Sequence, residues 1–76
     1  MKIEQILNEV VNSTNLNELI GVWNKMAKNK RTYTINELLN AAKVIREKSL
    51  TTNGASEEKY SFYRELSRQY NLLLEV

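Results

Sequence analysis

The groups in this chain able to do acid–base or metal chemistry are few in kind. Glu is the one carboxylate, with no Asp, no His and no Cys in 76 residues. The missing His is the side chain that most often moves protons near neutral pH. The missing Cys is the soft metal ligand and the strongest nucleophile. No Ser-His-Asp or Cys-His unit can be assembled. Two Glu can serve as an acid–base pair when they face each other across a site. Glu57 and Glu58 are adjacent, however, and point in different directions on a helix. They read instead as a match to the positive end of a helix dipole. A metal would find only Glu and amide oxygens, without motif spacing. Gly21 and Gly54 are the only glycines, so no loop can cluster backbone N–H groups around phosphate. No catalytic, cofactor-binding or metal residue is assigned, and the chain reads as a binding protein, not an enzyme.

Two sets of residues are candidates for binding. The first is basic. Residues 1–24 carry Lys2 against Glu4, Glu9 and Glu18, and residues 49–76 carry Lys59, Arg64 and Arg68 against four Glu. The middle third holds seven basic groups against Glu37 and Glu47, a net of +5 in a chain of net +2. Lys25, Lys28, Lys30 and Arg31 concentrate that charge, and Tyr33 follows. Such a cluster can track phosphates while the aromatic ring stacks on a base. Equally, Lys and Arg are favoured at any helix C-terminus. Asn36, Asn40, Lys43 and Glu47 share an outer helical face, as a base-reading helix requires. The connection from Lys28 to Thr34 exceeds the usual helix-turn-helix turn.

The second set suits a protein partner. Val44 is expected to point away from the main apolar stripe of its helix, and Leu72 likewise. Tyr60, Phe62 and Tyr63 add large apolar area beside Arg64 and Arg68, which lie one turn apart. Aromatic and Arg side chains dominate interface hot spots. In a small domain the same aromatics also serve as core.

These residues are positioned by four amphipathic stripes. Ile3, Ile6, Leu7, Val10 and Val11 follow helical spacing, as do Leu16, Leu19, Ile20, Trp23, Met26 and Ala27. Ile35, Leu38, Leu39, Ala42 and Ile45 form the third stripe; Tyr60, Tyr63, Leu66, Tyr70, Leu73 and Leu74 form the fourth, with Phe62 at its edge. Asn15 with Glu18, and Thr34 with Glu37, make capping boxes, and Ser56 is the expected cap of the last helix. Asn53-Gly54 reads as a turn, and residues 29–33 as a loop. Gly21 falls opposite its stripe, either exposed and tolerated or approached closely by a partner. The spacing predicts helices near 2–12, 15–28, 34–48 and 56–73, with Trp23, Leu19, Leu39, Ile45, Tyr63 and Leu66 in the core. The expected fold is all-α, a compact bundle of three to four short helices forming a single domain over 1–76.

A hydrophobic share of 42% with 26% charged residues is a globular balance, not a disordered one. Neither a membrane-length apolar run nor a signal-peptide layout is present, so the expectation is a cytoplasmic protein, monomeric or weakly oligomeric, without cofactor or membrane.

The runs Leu16-Asn17-Glu18-Leu19-Ile20-Gly21-Val22-Trp23 and Thr34-Ile35-Asn36-Glu37-Leu38-Leu39 carry a resemblance. Through them the whole chain resembles the small protein encoded beside the UvsW recombination helicase of T-even bacteriophages. That resemblance implies a phage accessory protein in the host cytoplasm, near DNA recombination and repair. It transfers no helicase activity, because the helicase motifs are absent, and no site residues. Residues 12–50 are also similar in helix layout and charge pattern to the Hha family of small helical regulators, which act through a nucleoid-associated protein partner. The expected function is therefore a non-enzymatic adaptor serving DNA recombination, repair or replication machinery through protein contacts. The alternative is direct, weak, non-specific nucleic-acid binding through the basic patch at residues 25–31.

Overall fold

Capping chemistry sets where the two inner helices begin. The Asn15 side chain accepts a hydrogen bond from the Glu18 N–H at 3.0 Å, while the Glu18 carboxylate accepts from the Thr14 N–H at 3.1 Å. At the next start, Thr34 Oγ1 accepts from the Glu37 N–H at 3.1 Å and Glu37 Oε1 accepts from the Thr34 N–H at 2.8 Å. The Thr34–Glu37 pair is a full capping box, whereas Asn15 is a side-chain N-cap whose Glu18 turns to the Thr14 N–H; both satisfy an N–H that the helix itself leaves orphaned. The computed structural model describes residues 2–75. Its elements are α1 (Ile3–Asn12), α2 (Leu16–Lys28), a single 3-10 turn (Lys30–Thr32), α3 (Ile35–Ser49) and α4 (Ser56–Leu74). No strand occurs among the described residues, and the all-α bundle expected from the spacing is the fold. Residues 1 and 76, the ends of the expected domain, lie outside the described residues.

The start of α4 differs from expectation. Ala55 is the N-cap, without a side-chain bond, and Ser56 is already helical. The reason lies one step upstream. Asn53 accepts from the Leu16 N–H at 3.0 Å and donates to the Thr14 carbonyl at 3.2 Å, forming an isolated parallel bridge between residues 15 and 53. The chain leaves this bridge directly into the helix, and the Ala55 carbonyl takes the Lys59 N–H at 3.0 Å.

Helix C-termini are closed by hydroxyls. Ser13 donates to the Glu9 carbonyl at 2.6 Å, Ser49 to Arg46 at 2.6 Å and Thr52 to Ser49 at 3.0 Å. All three side chains are buried, and all three are satisfied, as burial of polar groups requires. From α3, Lys48 Nζ reaches the Val11 carbonyl at 3.4 Å, placing a cation at the negative end of α1.

The core cluster draws Ile6 and Val10 from α1, Leu19, Val22 and Met26 from α2, Leu38, Ala41 and Ile45 from α3, and Leu66 from α4. Helix α3 packs against all three others, most broadly against α4. Leu19, Ile45 and Leu66 are fully buried, as expected. Trp23, Leu39 and Tyr63 are only half-buried, whereas Val22 and Ala41 are buried. The cause is rotation of the buried arc. On α2 it centres on Leu19, Val22 and Met26, which leaves Trp23 at its margin and Ala27 exposed. On α1 and α3 the ends of the expected stripes, Val11 and Ile35, are 68% and 43% exposed.

Candidate functional site

The basic cluster is built by the end of α2 and the 3-10 turn. Asn29 Nδ2 donates to the Lys25 carbonyl at 3.1 Å, and Thr32 Oγ1 donates to the Asn29 carbonyl at 2.7 Å, so the backbone carrying the cations is pinned locally. Of the expected residues, Lys28, Lys30 and Arg31 are exposed and make no ion pair among the described residues. Lys25 is different: its Nζ lies 3.1 Å from Glu9 Oε1 on α1. Tyr33 also departs from expectation. It is half-buried and packs against the core cluster, which reduces the part of its ring open to a base. The outer face of α3 does expose Asn36, Asn40, Lys43 and Glu47 together.

The partner face expected along α4 is thinner than its sequence suggested. Val44 and Phe62 do not point outward; both are half-buried and pack against the core. The reason is that α3 is sandwiched between neighbours, which widens its buried arc beyond one stripe, while Phe62 lies one turn before Leu66 on the inner face of α4. Tyr63 is half-buried too, and its ring meets the Arg46 guanidinium at 5.5 Å. Arg46 also lies 5.3 Å from the Tyr70 ring, with its Nη1 3.5 Å from Ser67 Oγ. Arg46 is thus wedged between two rings of α4, its Nε buried without a hydrogen-bond partner among the described residues. Arg68 binds Glu65 through both nitrogens, at 2.7 and 3.2 Å. The Arg68 hydrogen bond, with a second from Gln69, holds the Glu65 carboxyl below its ordinary pKa; the same contact raises that of Arg68. Tyr60, 57% exposed, and Arg64 remain outward, beside Ser61 in an open surface depression.

A more enclosed feature lies where α2, the 3-10 turn, α3 and α4 meet. Trp23, Met26, Leu38 and Leu73 form the apolar lining of a cleft of about 180 Å³, with Ala27, Lys30 and Gln69 completing it. Gln69 donates to Glu65 at 3.1 Å, so its amide is already oriented. Sequence reasoning placed Trp23 in the core and had no signal for the cleft, because its walls come from segments distant in the chain. Lys30 joins the cleft to the exposed cations Lys28 and Arg31.

Among the described residues no three His, Cys, Asp or Glu side chains gather to hold a metal, and no helix is long and apolar enough to cross a membrane. No protein-family model, curated protein or solved structure matches this chain.

Proposed function

We propose that this chain is a non-enzymatic helical adaptor that works by holding another protein, in the service of nucleic-acid machinery in the cytoplasm of a phage-infected host. One observation carries the adaptor reading: the sole Trp is half-buried and lines a cleft with Met26, Leu38 and Leu73, beside Lys30, which makes no ion pair among the described residues. Trp in a desolvating pocket is the side chain most enriched at protein hot spots. The side-chain inventory supports the same reading, since it lacks His, Cys and Asp. The resemblance to the phage accessory protein is what connects the adaptor to recombination and repair.

Direct nucleic-acid binding is the second reading, favoured by the exposure of Lys28, Lys30 and Arg31. It loses support from Lys25, which is paired, and from Tyr33, which is packed inward. Titration with single- and double-stranded DNA at low and moderate salt separates the two. The adaptor reading expects little binding at moderate salt. Binding that is tight at low salt and falls steeply with ionic strength, and that is lost when Lys28, Lys30 and Arg31 become Gln, would establish the second reading instead.

A further inference from the structure

We infer that the Trp23 cleft seats one large apolar side chain of an acidic peptide segment, whose carboxylates lie against Lys30 and its neighbours Lys28 and Arg31. The inference rests on the adaptor reading and names the chemistry of its partner.

Size is the first argument. Pockets for cofactors and drug-sized ligands run about 300–1,000 Å³. At about 180 Å³ this cleft is below that range and on the scale of a single side chain. The lining is the second. Trp23, Met26, Leu38 and Leu73 wall the cleft with apolar surface, and a polar edge buried against those walls would lose its bonds to water; Lys30 and Gln69 are its polar members, and the Gln69 amide is already engaged by Glu65. A Phe, Leu or Ile side chain carries no such cost and releases its own apolar surface from water.

Charge is the third argument, and it selects the flanks of that side chain. Lys30 lines the cleft, and Lys28 and Arg31 flank it in the chain, all exposed and without an ion pair among the described residues. On the opposite wall Gln69 donates to Glu65, whose charge is balanced by Arg68 at 2.7 Å. The rim is therefore electropositive on one side and balanced on the other. An acidic segment is attracted to it, and a basic one repelled.

Trp23 is the only Trp, so its fluorescence reports occupancy of the cleft directly. The probe is a library of short, Trp-free synthetic peptides, each centred on Phe, Leu or Ile and flanked by Asp and Glu. Saturable change in Trp23 emission is expected for members of this library. It should be lost when the flanking acids become Asn and Gln, and lost when the central residue becomes Ala. Binding should weaken by about tenfold in Lys28→Gln/Lys30→Gln/Arg31→Gln, whose changes are all on the surface. It should also be abolished by Ala27→Phe, which fills the cleft from its exposed rim, with circular dichroism confirming the fold of both variants. Failure of the whole library, or equal response in Ala27→Phe, overturns the inference. Occupancy by amide-flanked or Lys-flanked apolar peptides overturns the acidic partner while leaving an adaptor. A short oligothymidylate that perturbs Trp23 with steep salt dependence, where the peptides do not, overturns both.

Discussion

Replacing Gly21 with Ala should stabilise this protein. Gly21 lies inside α2, is exposed, and a Cβ built there has no neighbouring atom within 4 Å. The new methyl group neither clashes nor buries anything. What remains is the backbone term: Gly in a helix interior is less favourable than Ala by about 0.8–1.0 kcal/mol, mainly because its unfolded chain is freer. The unfolding entropy of a chain this long, at about 2.1 cal/mol/K per residue, is about 160 cal/mol/K. A gain of about 0.8 kcal/mol therefore raises Tm by about 5 °C. Far-UV circular dichroism melts give Tm, and urea titration should show a higher midpoint with an unchanged slope. Gly54→Ala is the internal contrast. Its methyl would sit 3.1 Å from Leu16 Cβ, an atom fixed to the backbone, and 3.6 Å from Lys59 Cγ. The bridge between residues 15 and 53 would have to yield, so the change should destabilise by about 1 kcal/mol once its own entropic gain is subtracted. An unchanged or lowered Tm for Gly21→Ala would refute the reasoning, and would mean that something other than helix propensity holds a glycine there.

Thr34→Ala removes the hydroxyl that receives the Glu37 N–H and should cost about 1 kcal/mol, read as a lower urea midpoint. Trp23→Ala in a fully buried site would cost about 3–5 kcal/mol, but the half-open position observed here lowers the expectation to about 2 kcal/mol. A variant folded by circular dichroism that no longer binds a dye-labelled acidic peptide, read by fluorescence anisotropy, is the expected result, and complete unfolding at room temperature would return Trp23 to the core. Glu65 should titrate below the ordinary carboxylate range by NMR, chiefly because Arg68 hydrogen-bonds its charged form, and Arg68→Ala should bring it back up. The sign follows from the lowered folded-state value: whatever the pair contributes is present above the unfolded carboxylate pKa and is lost as pH falls through the folded one. High salt should shrink the effect, since both partners are exposed.

How much was legible depended on range. The four helices, the Asn15 cap and the Thr34–Glu37 capping box depend on residues three or four apart, and periodicity and capping chemistry report those distances directly. The absence of His, Cys and Asp was legible too, because it is a matter of inventory. The binding residues were harder. Tyr33, Val44 and Phe62 each carry a side chain suited to an interface, and each turned out to pack inward. A stripe on a helical wheel has a centre and a width, and the width depends on how many neighbours surround the helix.

By itself, the amino-acid order determined that this chain forms helices near 2–12, 15–28, 34–48 and 56–73, that its cations crowd the middle third, and that only Glu supplies carboxylate. Local hydrogen bonds, spacing and counting suffice for such statements. Only the tertiary structure decided which way each helix turns, and with it the fate of individual side chains. Arg46 became a wedge between Tyr63 and Tyr70 because α4 lies across α3 at that turn. Lys25 was drawn to Glu9 because α1 and α2 lie side by side, leaving Lys28, Lys30 and Arg31 without an ion pair among the described residues. Gly54 serves close approach to Leu16, not a left-handed turn, because two loops distant in the chain meet there. The cleft under Trp23 exists for the same reason: its walls come from α2, α3 and α4, and no local pattern records how three helices will converge.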